Sequence, residues 1–151
     1  MGPETLDTQV IELIGRNRLG SELLHAGLEI AVPARDRGID LIAYADLTSN
    51  VETFKARPIQ MKAASKRSFS LFRKYAKFAD LIIAYVWFIK DPKQTTTYAL
   101  TYDEALSVAT KVGWTATKPW EREGYSTTSP STEICELLEP YHMTADKWWK
   151  K

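Results

Sequence analysis

At 151 residues, with a formal charge of +1 and a single cysteine, Cys135, the chain has the size of one domain able to bury a working core. The near-neutral balance excludes a strongly basic coat protein and an acidic tail, and one cysteine excludes an internal disulfide. No charged and apolar leader opens the sequence, and the longest apolar run, Leu81 to Ile89 (LIIAYVWFI), is nine residues, so no membrane role is expected and the cytoplasm is the expected location.

Residues 5 to 26 (TLDTQVIELIGRNRLGSELLHA) predict a first helix, with Val10, Ile14 and Leu24 among its core contacts, Gly15 and Gly20 as weak points able to split it, and Gly27 as its C′ stop. LEIAVP (28–33) and IDLIAYA (39–45), separated by the polar turn Ala34-Arg35-Asp36-Arg37-Gly38, predict consecutive antiparallel strands. A third strand is expected from about Thr53 to Ala63, then a helix starting near Lys66 with Lys66, Arg73 and Lys77 on one stripe and Phe69, Phe72 and Ala76 on the buried one.

The Leu81–Ile89 run is apolar on both alternating faces, which predicts a central strand covered on both sides, and Thr96 to Thr101 is expected beside it after the Asp91-Pro92-Lys93 turn. Thr101-Tyr102-Asp103-Glu104 fits a capping box for a helix to about Lys111. Ser129-Pro130 fits the N-cap and first turn of a last helix through about Tyr141, with an ordered loop at 113–129 carrying Trp114, Trp120 and Tyr125. These elements predict an α/β fold in one domain spanning 1–151, a mixed sheet of about five strands flanked by helices, with its core at about 5–112 and a C-terminal loop and helix at 113–151.

The chemistry concentrates in RGIDLIAYADLTSNVETFKARPIQMKAAS (37–65). A hairpin centred near Asn50, with Leu47 to Glu52 as its loop, sets residue 40 opposite residue 60 and brings Asp40 beside Gln60 and near Lys62. Strand alternation puts Gln60 and Lys62 on one face and Ile59, Met61 and Ala63 on the other. A carboxylate, an amide oxygen and a main-chain carbonyl are hard oxygen ligands of the kind Mg²⁺ accepts. A neighbouring lysine can orient or help deprotonate a water and stabilise charge on a phosphate. The bland alternative is a strand-end aspartate satisfying backbone donors, with Lys62 as its surface ion-pair partner.

Gly38-Ile39-Asp40-Leu41-Ile42-Ala43 followed by Gln60-Met61-Lys62, behind a helix carrying Gly20-Ser21-Glu22-Leu23 and a strand ending in Val32-Pro33, resembles the PD-(D/E)XK nuclease superfamily over roughly residues 10 to 105. The resemblance implies a restriction-endonuclease-like sheet and a metal-dependent endonuclease acting on DNA. Restriction enzymes, archaeal Holliday-junction resolvases, repair nucleases and homing endonucleases belong to that superfamily. It implies Asp40, Gln60 and Glu22 as ligands of Mg²⁺, or of Mn²⁺ in its place, and Lys62 as the residue assisting the water. Two departures stand out: Ile39 occupies the name-giving proline's place, and Gln60 replaces the second acid and lowers the negative charge available to the metal. The alternative is a nuclease-like domain that binds nucleic acid or a protein partner without cutting. A two-strand cut needs two active sites, which a homodimer would supply; no small-molecule cofactor is expected.

From Thr53 to Ala79 there are eight basic residues and no acid, of which Lys66, Arg67, Arg73, Lys74 and Lys77 form an expected track for a phosphate backbone. The competing reading is a solvated face. Trp87, Trp114 and Trp120 are expected to pack, and Cys135 to be a small core residue. Trp148 and Trp149, flanked by lysines, suit a partner or nucleic-acid contact and a docked tail equally. His25 and His142 have no companion at metal-ligand spacing.

Overall fold

A computed structural model of the chain describes residues 7–46 and 52–151, so most of the expected hairpin loop Leu47 to Glu52, and the start expected for the first helix at residue 5, lie outside the described residues. Helix α1 spans Thr8–His25 without a break. Asp7 opens it by accepting the Val10 amide at 2.8 Å. At its end the Leu28 amide donates to the Leu23 carbonyl and the Gly27 amide to the Leu24 carbonyl, with Gly27 at φ +89°, the left-handed stop expected there.

The buried side of α1 is not the expected one. Val10, Ile14 and Leu24 are 37%, 36% and 50% exposed, whereas Gly15, Leu19, Gly20 and Leu23 are buried. The glycines are the reason. A Cβ on Gly15 would stand 2.6 Å from the Ala63 Cβ, so the missing side chain lets the helix lie directly on the sheet. The helix propensity lost at a glycine, about 1 kcal/mol, is offset by that close approach, and neither glycine divides the helix.

The main sheet contains β1 (Glu29–Ala31), β2 (Leu41–Tyr44), β3 (Ala56–Ala63), β5 (Ile82–Trp87) and β6 (Thr96–Thr101) in the order β1-β2-β3-β5-β6. Only the β3–β5 pair is parallel, so the sheet is mixed, as expected for an α/β chain flanked by helices. Leu41 lies opposite Ile59 and Ile42 opposite Pro58, the same register that sets residue 40 against residue 60. All of β5 is buried. Its Ile82, Ala84 and Val86 meet Leu19 and Leu23 of α1 together with Ile59 and Met61, while Ile83, Tyr85 and Trp87 face the opposite layer.

That opposite layer differs from the expected basic helix. Residues Phe69–Phe72 form strand β4, followed by a 3₁₀ turn at Arg73–Lys77. Phe69 and Leu71 are buried between half-buried Ser70 and Phe72, a period of two rather than of helical spacing. A partner is available in β7 (Gly124–Thr127), which pairs antiparallel with β4. Two aromatic residues of β5 fix β4 in place: Tyr85 Oη donates to the Ser70 carbonyl at 2.6 Å and Trp87 Nε1 to the Ser68 carbonyl at 2.7 Å. Tyr75, rather than the exposed Ala76, is the buried residue of the turn.

Helix α2 (Tyr102–Lys111) carries both halves of its capping box. The stretch expected as a loop at 113–129 instead holds a 3₁₀ turn at Trp114–Ala116, the short helix α3 (Lys118–Arg122) capped by Thr117, and β7. Helix α4 (Thr132–Leu138) starts after Ser131, whose hydroxyl accepts the Ile134 amide, and not after Ser129; a 3₁₀ turn at Glu139–Tyr141 reaches the expected end. Trp114, Trp120, Ile134 and Leu138 join the core of this layer, and α5 (Ala145–Trp148) brings Trp148 into the core on the α1 side. Among the described residues no helix is long and apolar enough to cross a membrane.

Candidate functional site

The left-handed Gly38, at φ +95°, delivers Asp40 to the entrance of β2. Strand β2 begins one residue later, while β3 runs on to Ala63, so the Met61 amide lies beyond the described β2 ladder. Asp40 supplies its partner: Oδ2 accepts the Met61 N–H at 2.7 Å, and the Asp40 amide donates to the Ile59 carbonyl at 2.8 Å. The residue is only 5% exposed. Burial pushes its carboxyl above the usual aspartate range; the Met61 N–H works against that, Asp36 and Glu12 add to it by like-charge repulsion, and Arg16 opposes it.

Those neighbours complete a cluster. Ligand oxygens of Glu12, Asp36 and Asp40 all lie within 4.8 Å of one another. Glu12 comes from α1, and Asp36 from the β1–β2 connection, where it accepts the Gly38 amide. Gln60, 8% exposed, has an amide whose Oε1 is buried with no partner among the described residues and whose Nε2 makes a 3.4 Å contact to the Met61 carbonyl. A buried acceptor without a donor is costly. The three carboxylates match the oxygen-only preference of Mg²⁺ and Mn²⁺, whereas Gln60 shares its face of β3 with Lys62, opposite Met61 on the α1 side.

Two of the expected site residues point elsewhere. Lys62 Nζ donates to Tyr75 Oη at 3.0 Å and rests against the rings of Phe72 and Tyr75, at 5.2 and 5.3 Å from their centroids. The cation acting on Asp40 is instead Arg16, one helical turn beyond Glu12; the Arg16 Nε is buried with no partner among the described residues. Glu22 lies ten residues from Glu12 along α1, about 15 Å. Its carboxylate accepts from Thr97 Oγ1 at 2.9 Å and from Trp148 Nε1 at 3.0 Å. The first-helix glutamate next to Asp40 is therefore Glu12. Spacing held the signal: Glu12, Arg16, Leu19 and Leu23 share the helix face that Gly15 lays on the sheet.

Lys66, Arg67, Arg73, Lys74 and Lys77 are all exposed, spread over the β3–β4 connection and the 3₁₀ turn instead of along one helix stripe. Aromatic rings sit under most of them: Arg67 over Phe88 at 5.4 Å, Lys74 over Tyr75 at 5.4 Å and Lys77 over Phe78 at 5.5 Å. Arg73 is tied to the Glu121 carbonyl. Because Lys62 and Lys74 share the rings of Phe72 and Tyr75, this basic surface is continuous with β3. Trp148 is buried, and Trp149, 45% exposed, donates its indole N–H to the Ala26 carbonyl. Cys135 is half-buried against the core of the α2 layer.

No family model, curated protein or solved structure matches the chain.

Proposed function

We propose that the chain is a metal-dependent endonuclease that hydrolyses phosphodiester bonds in DNA, with Glu12, Asp36 and Asp40 as the residues that would hold Mg²⁺ or Mn²⁺. The observation that carries the reading is the convergence of the three carboxylates of Glu12, Asp36 and Asp40 on one spot. The bound ion would neutralise phosphate charge and polarise the phosphoryl group. Asp40 and Glu12 fix the position of that charge from two rigid elements, a strand entrance and a helix. Arg16 carries positive charge toward the acids on the α1 side. Lys62, in the aromatic cage of Phe72 and Tyr75, would hold the phosphate or orient the attacking water once its bond to Tyr75 opens. The exposed lysines and arginines from Lys66 to Lys77 supply non-specific affinity for the strand.

The Lys62–Tyr75 bond also favours a second reading, a domain that binds nucleic acid or a protein partner without cutting, because it turns the lysine away from the acids. Incubation with supercoiled plasmid separates them. Nicking that requires Mg²⁺ or Mn²⁺ and disappears in Asp40→Asn and Glu12→Gln supports the nuclease. Salt-sensitive binding without nicking in any divalent ion supports the second reading, and no binding at low salt removes both.

A further inference from the structure

On the α1 side of the sheet, beside the first half of β3, lies a cavity of about 490 Å³, within the range of small-molecule sites. Its apolar lining includes Ala43, Ile59 and Ile82. Its wall is Trp148 and Trp149, and both are held by other groups. Glu22 accepts the Trp148 indole N–H, and the Ala26 carbonyl accepts that of Trp149, whose ring also lies on Gly27. The cavity is strongly positive: among the described residues Lys55, Arg57, Lys150 and Lys151 line it against one acid, Glu52. Lys151 is already paired with Glu104. The Nε of Arg57 is buried with no acceptor among the described residues.

An unsatisfied buried guanidinium nitrogen calls for an anion. An apolar floor beside a half-exposed indole suits a planar ring. We propose that this cavity is a nucleotide site, in which a nucleobase stacks on Trp149 over the Ala43–Ile59 floor while Arg57, with Lys55 and Lys150, holds the attached phosphate. The nucleotide could be a free mononucleotide or an unpaired nucleotide of a strand. Ala43 pairs with Arg57 only three residues from Asp40 along the same chain, about 10 Å. A strand engaged at the acidic cluster therefore runs close to the cavity. The strand-bound form rests on the DNA reading above; the free-nucleotide form does not.

The test titrates the full chain with dAMP, orthophosphate and deoxyadenosine, following tryptophan fluorescence and calorimetry. A duplex with one bulged 2-aminopurine serves as the strand probe. The expected result is dAMP binding at least about tenfold tighter than either fragment alone, weakened about tenfold or more by Arg57→Gln and by Trp149→Leu. The exposed Lys55→Gln serves as a variant that leaves the core untouched, and it is expected to weaken dAMP less than Arg57→Gln. A nucleotide that binds no tighter than orthophosphate, or whose affinity is the same in both principal variants as in the parent, overturns the proposal. If 2-aminopurine fluorescence changes on binding and dAMP reverses the change, the occupant is strand-borne. If dAMP binds while the bulged duplex does not, the occupant is a free nucleotide, and the DNA reading fails without the cavity failing with it.

Discussion

Replacing Asp40 with asparagine separates the cost of the acidic cluster from its use. The amide oxygen introduced by Asp40→Asn can still accept the Met61 N–H, so the loss is confined to the charge assistance of that bond, about 1 kcal/mol. Against this, the variant removes the repulsion of Asp40 by Glu12 and Asp36. At 4.8 Å, the widest separation in the cluster, two carboxylate charges repel by about 0.9 kcal/mol at the dielectric of water and by about 3.5 kcal/mol at an effective value of about 20. Asp36 is exposed, so its contribution lies toward the low end. In EDTA the variant should therefore be as stable as the parent or up to about 2 kcal/mol more stable, a rise in Tm of about 0 to 6 °C. The sign reverses with metal. At about 10 mM Mg²⁺ and a Kd on the order of 1 mM, the parent gains about 1.4 kcal/mol and the variant gains nothing. Burial, the largest cause, raises the Asp40 pKa above its ordinary 3.8, so the folded state holds that proton more tightly than the unfolded chain. The cost of the charge is present above the folded pKa and fades as pH falls through it, so the gap between variant and parent in EDTA should narrow as pH falls toward the ordinary aspartate value. Differential scanning fluorimetry with and without Mg²⁺ measures both legs. Equal Mg²⁺ shifts in parent and variant, or a parent with no shift at any Mg²⁺ concentration up to tens of millimolar, would refute the metal site.

Other outcomes follow from the same geometry. Glu12→Gln should lower metal-dependent nicking by about a hundredfold or more with little change in Tm, whereas Glu22→Gln should leave nicking by the folded protein intact and cost about 1–2 kcal/mol in urea unfolding through the Thr97 and Trp148 bonds. Gly15→Ala gains about 1 kcal/mol in helix propensity but drives a Cβ to 2.6 Å from Ala63, so the net effect in thermal melts should be destabilising by about 1–2 kcal/mol. Lys74→Gln and Lys77→Gln should each weaken DNA binding at low salt and together reduce the slope of log affinity against log salt by about 2.

The hairpin was legible in the sequence because a polar turn between two apolar runs leaves few registers that bury one face, and the pairing of Leu41 with Ile59 is the one that does so. The central strand was legible too, since nine apolar residues in a row leave no polar face to put in solvent. The basic segment was not. Its charges fit a helix stripe, but helical spacing took no account of β7, a partner more than fifty residues away that turns Phe69–Phe72 into a strand. The buried side of α1 is hidden from the sequence for a related reason: Val10, Ile14 and Leu24 are larger than Gly15 and Gly20, yet closeness of backbone rather than size of side chain decides which side meets the sheet. That single rotation carries the glutamate as well, bringing Glu12 to Asp40 and giving Glu22 a different task.

The Glu22 carboxylate gathers segments separated by 75 and 126 positions in the chain, joining α1 to β6 and to α5. Such distant closure has a kinetic meaning: these contacts form only after long loops have been drawn shut, so they belong late in assembly. They are expected to open together, because losing one partner leaves a half-buried acid half-satisfied. Slow, correlated amide exchange at the end of α1 and in α5 is the signature of that shared latch.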